Sequence, residues 1–343
     1  MCKHLQNNFV ALKELNMASI EDVAKKAKVS VTTVSRALND HPYVSDKTKK
    51  KIFKAMEELN YFPNSVAQQL RGKRTNMIGV IIAYITNPFF ANLINAIEKT
   101  AIAKGYHLVV MQTQGKPELE KFYLEMIQKK QLDGIIMTNL EVATDTILQL
   151  IAENKIVLCN RYIGTKELDV IQIDERKASY AGTKLLLEKG HKKIAFCTGN
   201  IMNPQDLRYK GYQDALNEFG VEIDEDLFYP HLMGIQGGRI FVQKILSQDV
   251  PPTAVFTNGD EVAAGIISEA RKHNLLIPTD LAVLGFDDQP IASLTNPEIT
   301  TIHQPIEEMG RLAAESLIAK IEGHESPTRA AKLDTFIKVR ESV

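Results

Sequence analysis

Cysteine is scarce in this chain of 343 residues: only Cys2, Cys159 and Cys197 occur, far apart. An odd, dispersed set offers neither a disulfide framework nor the paired spacing of a zinc site. No apolar run approaches the roughly 18 residues that a membrane-spanning helix needs. Near the N-terminus, Gln6, Asn7 and Asn8 separate Leu5 from Phe9, Val10, Ala11 and Leu12, so no compact hydrophobic stretch of a secretory signal forms. Signatures of catalysis are missing as well. There is no Gly-x-Ser-x-Gly elbow, phosphate-binding loop or paired-histidine metal motif, and Gly234-Ile235-Gln236-Gly237-Gly238 fits no nucleotide fingerprint. These absences predict a cytoplasmic protein that is not an enzyme, touches no membrane and carries no cofactor.

Net charge is nearly absent, at −1, but its distribution is uneven. Residues 1–74 hold 14 Lys/Arg against 7 Asp/Glu, whereas the rest hold 27 against 35. A basic head on an acidic body is either the electrostatic footprint of a nucleic-acid-binding module or a solvated basic face.

The head favours the first. After a tail without sustained period (1–17), Ser19 followed by Asp22 is a capping-box pattern, with Ile20, Val23, Ala24 and Ala27 on one helical face. Ser30 caps a second predicted helix, Val31 to Asn39, with Val34 and Leu38 inward. Ser45 caps a third, with Ile52, Met56 and Leu59 inward and Lys47, Lys49, Lys50, Lys51 and Lys54 outward. Two short helices joined by a tight turn and buried by a third make a helix-turn-helix domain, assigned to 18–63. The second helix exposes Val31, Thr32, Thr33, Ser35 and Arg36. Small groups let the backbone approach base edges, methyls meet thymine methyls, and Arg forks onto guanine.

Ile20-Glu21-Asp22-Val23-Ala24, Val29-Ser30, Thr33-Val34-Ser35-Arg36, Val44-Ser45, Leu59-Asn60-Tyr61 and Pro63-Asn64 resemble, in order and spacing, the head of the lactose/galactose repressor family of bacterial transcriptional regulators. The resemblance implies double-stranded operator DNA as partner, with contacts from Ser19, Val31, Thr32, Thr33, Ser35, Arg36, Asn39 and Tyr61. The connector 64–74 reads as a two-turn helix too short to be stable alone, or as a plain linker. By resemblance it folds on DNA: Asn64, Ala67 and Leu70 make contacts, Leu70 wedges into a minor-groove step, and Val66 and Ala67 pair across a dimer axis.

From Met77 the chain alternates strands and helices, which implies parallel sheets covered by helices. A restart near residue 173 divides it into two halves that place a ligand at their strand ends. The expected fold class is α/β: an N-terminal all-α helix-turn-helix domain plus a two-lobed core of parallel sheets (75–343), like periplasmic sugar-binding proteins by the resemblance. Lobe 1 is assigned to about 75–173 and 304–332, and lobe 2 to about 174–303 and 333–343. Polar and aromatic residues gather at the strand ends: Phe89 and Phe90, Asn139, Asn160 and Arg161, Arg208, Asp260, Asp287, and Gln304 in a returning crossover strand. Amides and acids that fork onto vicinal hydroxyls, with an aromatic face for C–H groups, suit a sugar or sugar derivative. Asp260 reads equally as a helix cap, and Phe89 as core.

Three departures from the family pattern stand out. Gly259-Asp260 replaces an Asn-Asp pair, so one pocket amide is expected to be missing. Met202 stands where purine-responsive members carry an additional Arg. Leu294-Thr295-Asn296 replaces the arginines that dock a protein corepressor. No leucine heptad follows the last strand, so a homodimer is expected. The alternative is a non-enzymatic sugar-binding protein without regulatory DNA binding, which leaves the basic head unexplained.

Overall fold

The structure, a computed structural model, describes residues 18–39, 41–62, 74–140, 147, 155–160, 168–199, 206–328 and 330–343. Expectations for the tail, for Asn64, Val66, Ala67 and Leu70, and for Arg161 and Met202 lie outside the described residues. The chain forms two compact units, Met1–Thr75 and Asn76–Val343.

The first unit packs three helices: α1 (Ile20–Ala27), α2 (Val31–Leu38) and α3 (Asp46–Glu58). Serine starts each one. Ser19 and Asp22 form a reciprocal capping box, Ser30 accepts from the Thr33 amide, and Ser45 accepts from the Thr48 amide. Each cap contributes about 1 kcal/mol. α1 ends where Lys28 turns left-handed (φ 57°), which frees the chain to start α2 at Val31, behind its cap Ser30. Val23, Ala24, Ala27, Val34, Ala37, Val44, Ile52 and Ala55 form the core. Leu38, Met56 and Leu59, expected inward, are half-buried at its margin, and the small Ala37 and Ala55 occupy the centre. Close helix approach requires small residues there.

The second unit contains two six-stranded sheets. In the first, β1 (Met77–Ile82), β2 (His107–Gln112), β3 (Gly134–Met137), β4 (Ile156–Cys159), β5 (Asp169–Ile173) and β11 (Ala330–Leu333) run parallel in the order β11-β5-β4-β3-β1-β2. In the second, β6 (Ile194–Cys197), β7 (Phe228–Tyr229), β8 (Ala254–Phe256), β9 (Ala282–Asp287), β10 (Thr300–His303) and β12 (Phe336–Lys338) lie in the order β12-β10-β9-β8-β6-β7. Only β12 is antiparallel to its neighbour. The central strands are buried on both faces, as continuous apolar runs such as Ile78–Ile82 and Ala282–Phe286 dictate.

The covering helices are α4 (Pro88–Ala103), α5 (Pro117–Gln128) and α10 (Ile306–Glu322) on the first sheet, and α6 (Glu175–Glu188), α7 (Leu207–Glu218), α8 (Gly234–Ile245) and α9 (Asp260–Lys272) on the second. The polypeptide passes between the sheets after β5, after β10 and after β11. Gln304 belongs to the second of these passages and not to a strand, because β10 ends at His303. α8, whose glycine-rich start had suggested only a failed phosphate loop, and β11 were not legible as elements in the sequence.

Glycine sets the separation of two helix pairs. A methyl group at Gly211 would lie 2.1 Å from the Arg176 carbonyl oxygen, and one at Gly238 would lie 2.1 Å from the Val262 carbonyl oxygen. Both contacts are with backbone, which cannot swing aside. Gly238→Ala should therefore destabilise the second unit by about 1–3 kcal/mol or more, read as a lower urea midpoint; an unchanged midpoint would show that the helices separate without cost.

Candidate functional site: the inter-lobe cleft and the second helix

The strand ends of the two sheets face each other across a cleft. Its main cavity, about 210 Å³, is lined from the first lobe by Ala83, Tyr84, Asn87, Phe89, Phe90, Asn139 and Asn160. The second lobe contributes Thr198, Gly199, Arg208, Met233, Asn258 and Asp287, and the passage contributes Gln304. A cavity of about 410 Å³ adjoins it and shares Tyr84, Asn87, Met233, Asn258 and Asp287. Its wall is completed by Thr86, Gly234, Gly259, Asp260, Glu261, Val262 and Gln289.

Backbone geometry brings the polar groups forward. Asn160 (φ 88°) and Asp287 (φ 99°) both turn left-handed as their strands end, a conformation that costs energy and concentrates where function needs it. Asn87 caps α4 by accepting from the Phe89 amide (3.0 Å), which sets Phe89 and Phe90 edge-to-face with centroids 5.3 Å apart. Both rings are almost entirely buried, so they serve the core and the cleft wall together.

Asp287 is the centre of a hydrogen-bonded network. Gln304 Nε2 donates to one of its oxygens (2.5 Å) and Gln289 Nε2 to the other (3.1 Å). Arg208 is held rigidly: its Nε donates to Glu175 (2.8 Å), an NH group donates to the Asn258 carbonyl (3.1 Å), and the guanidinium lies 3.6 Å from the Phe286 ring centroid. This buried pair fixes the guanidinium plane at the cleft. Arg208→Ala should consequently destabilise the second unit, because the buried Glu175 carboxylate would lose the guanidinium that it faces at 2.8 Å; a thermal melt indistinguishable from the parent would contradict that reading.

Asp260 stands apart from the other expected pocket residues. It lines the adjoining cavity and not the main one. One oxygen accepts from Thr301 Oγ1 (2.6 Å) and the other from the Gln289 amide (2.6 Å). Complete burial, and then the charge of Asp287, push its carboxyl up to about 8 from 3.8, outweighing those two hydrogen bonds. Folded protein then holds a proton that unfolded chain releases, so this contribution to stability is present below pH 3.8 and lost as pH rises towards 8. Asp260→Asn should flatten the decline of stability across that interval; parallel urea-midpoint profiles for variant and parent would refute it. Asp288 behaves oppositely: burial pushes its carboxyl up, but bonds from Arg340 and His303 outweigh that and lower it.

Asn258, one residue before Gly259, lines both cavities and donates Nδ2 to the Leu232 carbonyl (3.1 Å), so an amide stands beside the position where one was expected to be missing. Tyr84, Met233 and Gln289 were also missed. They come from loops and from the start of α8, where no periodicity marks them.

In the first unit, Val31, Thr32 and Arg36 of α2 are exposed, and Ser35 is half-buried beside them. Thr33 shares a hydrogen bond with the Ser30 hydroxyl (2.8 Å), Asn39 donates to the Ser35 carbonyl (2.8 Å), and the Ser19 hydroxyl is bound to Asp22 (2.7 Å). Tyr61 packs at the margin of the core. Beside this helix α3 exposes Lys47, Lys50, Lys51 and Lys54.

Both units have known counterparts. Residues 19–64 match the bacterial regulatory proteins, lacI family, and residues 183–343 match a periplasmic binding protein-like domain. The NTD biosynthesis operon regulator NtdR of Bacillus subtilis (strain 168) is 39% identical over 328 residues, covering 95% of this chain and all of that protein. The chain belongs to the LacI family. Among solved structures, the lac repressor dimer bound to operator and the anti-inducer ONPF superposes with a TM-score of 0.78 at 25% identity, over 95% of this chain and 98% of that one. A LacI family regulator from Lactobacillus casei with bound sucrose gives a TM-score of 0.73 at 28% identity, over 78% of this chain and 99% of that one. The LacI fold thus combines the helical head and the two-lobed parallel-sheet core described above.

Proposed function

We propose that this LacI-family protein is a sequence-specific transcriptional repressor that binds a near-palindromic operator as a homodimer and is switched by a small molecule in its cleft. The effector is a sugar or sugar derivative, bound and released unchanged, and the protein works in the cytoplasm where its DNA lies. The observation that carries this reading is the coexistence, in one chain, of an exposed, serine-capped helix beside a lysine-rich one and a two-lobed cleft whose central carboxylate is bonded to the inter-lobe passage.

Each part has a physical role. Two-fold symmetry places the α2 helices of two protomers in successive major grooves, where Val31 and Thr32 offer methyl contacts and Arg36 a fork. Lys47, Lys50, Lys51 and Lys54 supply backbone electrostatics that carry no sequence information. In the cleft, Asn139, Asn160 and Asp287 receive hydroxyls, Arg208 donates, and Phe89 and Phe90 cover a C–H face. Because Gln304 sits where the chain passes between lobes, a ligand that engages Asp287 acts directly on the geometry of that passage. Arg161, Asn64, Ala67 and Leu70 keep the roles that the family resemblance implies, as effector and DNA contacts. By linkage, effector and operator change each other's affinity by one common factor, typically worth about 1–3 kcal/mol.

Selection from a random duplex pool with the full chain should return a near-palindromic site. Arg36→Ala should then lose preference at one base pair per half-site, at a cost of about 1–3 kcal/mol. Asp287→Asn should retain operator affinity and lose the response to small molecules. Equal affinity of the parent for selected and scrambled duplexes would end the proposal.

A further inference from the structure

Two glycines line the adjoining cavity and not the main one, and they stand there for different reasons. Gly234 has φ 58°, a left-handed conformation that favours glycine. Gly259 has φ 178°, extended backbone that any residue adopts. It is the N-cap of α9 and leaves that helix without a side-chain cap, a place that Asn, Asp and Ser fill better. A methyl group at Gly259 would meet, among the described residues, only Asp287 Oδ2 at 3.6 Å, an ordinary contact. Neither backbone, capping nor packing calls for glycine at this position. What its missing side chain leaves is room.

The size of the cleft gives that room a use. The main cavity alone, about 210 Å³, is smaller than the roughly 300–1,000 Å³ of small-molecule sites. With the adjoining cavity of about 410 Å³, the cleft falls within that range. The two are continuous along a shared wall of Tyr84, Asn87, Met233, Asn258 and Asp287. Tyr84, whose hydroxyl donates to the Gln114 carbonyl (3.2 Å), brings an aromatic side chain to both compartments, and such rings pack against sugar C–H groups. Thr86 and Glu261 line the adjoining compartment only, and both residue types form hydrogen bonds with hydroxyls. Among the described residues no cationic side chain lines this compartment beside Glu261 and Asp287, so a phosphate or carboxylate substituent would meet like charge.

We infer that Gly259 is a specificity-determining residue and that the effector is a neutral two-ring sugar. One ring fills the main cavity against Arg208 and Asp287, and the second enters the compartment that the missing side chain leaves open. The bond between the rings runs along the shared wall of Asn87, Met233 and Asn258. This inference rests on the cleft being the effector site.

The test is calorimetry on the full chain with the hexoses glucose, galactose, mannose and fructose and with the disaccharides maltose, cellobiose, trehalose, lactose, melibiose and sucrose. At least one disaccharide should bind about tenfold or more tighter than either of its component sugars, through the contacts of its second ring. Gly259→Leu should lower affinity for that disaccharide about tenfold or more. Gly259→Asn, which suits a helix N-cap, should lower it about threefold, and it carries the test if the leucine variant does not fold. The ratio of disaccharide to hexose affinity should fall with each substitution, which general damage to the cleft would not produce. A hexose that binds as tightly as every disaccharide, a lack of disaccharide binding, or an undiminished ratio in the folded Gly259 variants would each overturn the inference. Operator binding measured in the same samples separates the two readings. A hexose that binds and shifts operator affinity would leave the ligand-switched regulator standing without the second ring. Disaccharide preference without operator recognition would remove the regulator and leave the role of Gly259.

Discussion

The carboxylate of Asp287 is the constraint around which the large unit is organised. It sits at the end of a fully buried strand, in a left-handed conformation that a non-glycine residue adopts only against a cost. Two glutamine amides approach it from different segments: Gln289 from the loop that follows its own strand, and Gln304 from the passage back to the first lobe. Both amides turn their nitrogen to this carboxylate, and that fixes the position and orientation of the cleft floor.

Arg208 shows the same economy of means on the same lobe. A guanidinium buried beside Glu175 and stacked on Phe286 is costly to desolvate, but the fork geometry lets one side chain bind a carboxylate and a carbonyl while lying flat on a ring. The gain is rigidity. A cleft built from such fixed groups recognises its ligand by geometry, and three passages of the chain join the two lobes. The passage after β10 is tied to Asp287, and the others are linked by an ion pair between Lys332 and Asp174 (3.4 Å). Here the physical chemistry of the site becomes the physical chemistry of the switch.

The head is governed by a simpler balance. Its core consists largely of alanine and valine, with Ile52, among the described residues, the one large aliphatic side chain fully buried. Such a core allows close helix packing but buries little apolar area, so serine caps at all three helix starts carry an unusual share of stability. Those caps also hold α2 in place without using Val31, Thr32 or Arg36, which stay exposed. Capping and recognition are divided between different residues of the same helix.

Much of this was legible in order of sequence. Serine caps, a helical period and a lysine face identified the head, because these signals are local and act within one or two turns. Alternating apolar runs identified the parallel sheets, and the residues at their ends included Phe89, Asn160, Arg208 and Asp287, because strand ends in such folds face the cleft. The tertiary structure alone decided the rest. It brought Gln289 and Gln304 to one carboxylate, set Arg208 on Phe286 beside Glu175, placed Asp260 in a second compartment, and set Asn258 on the wall of both cavities. Those relations join residues from 17 positions apart (Asp287 and Gln304) to 78 (Arg208 and Phe286), or depend on which face of a turn a side chain takes. Periodicity is blind to them, since hydrogen-bond partners are chosen by distance in space and burial, not by separation along the chain.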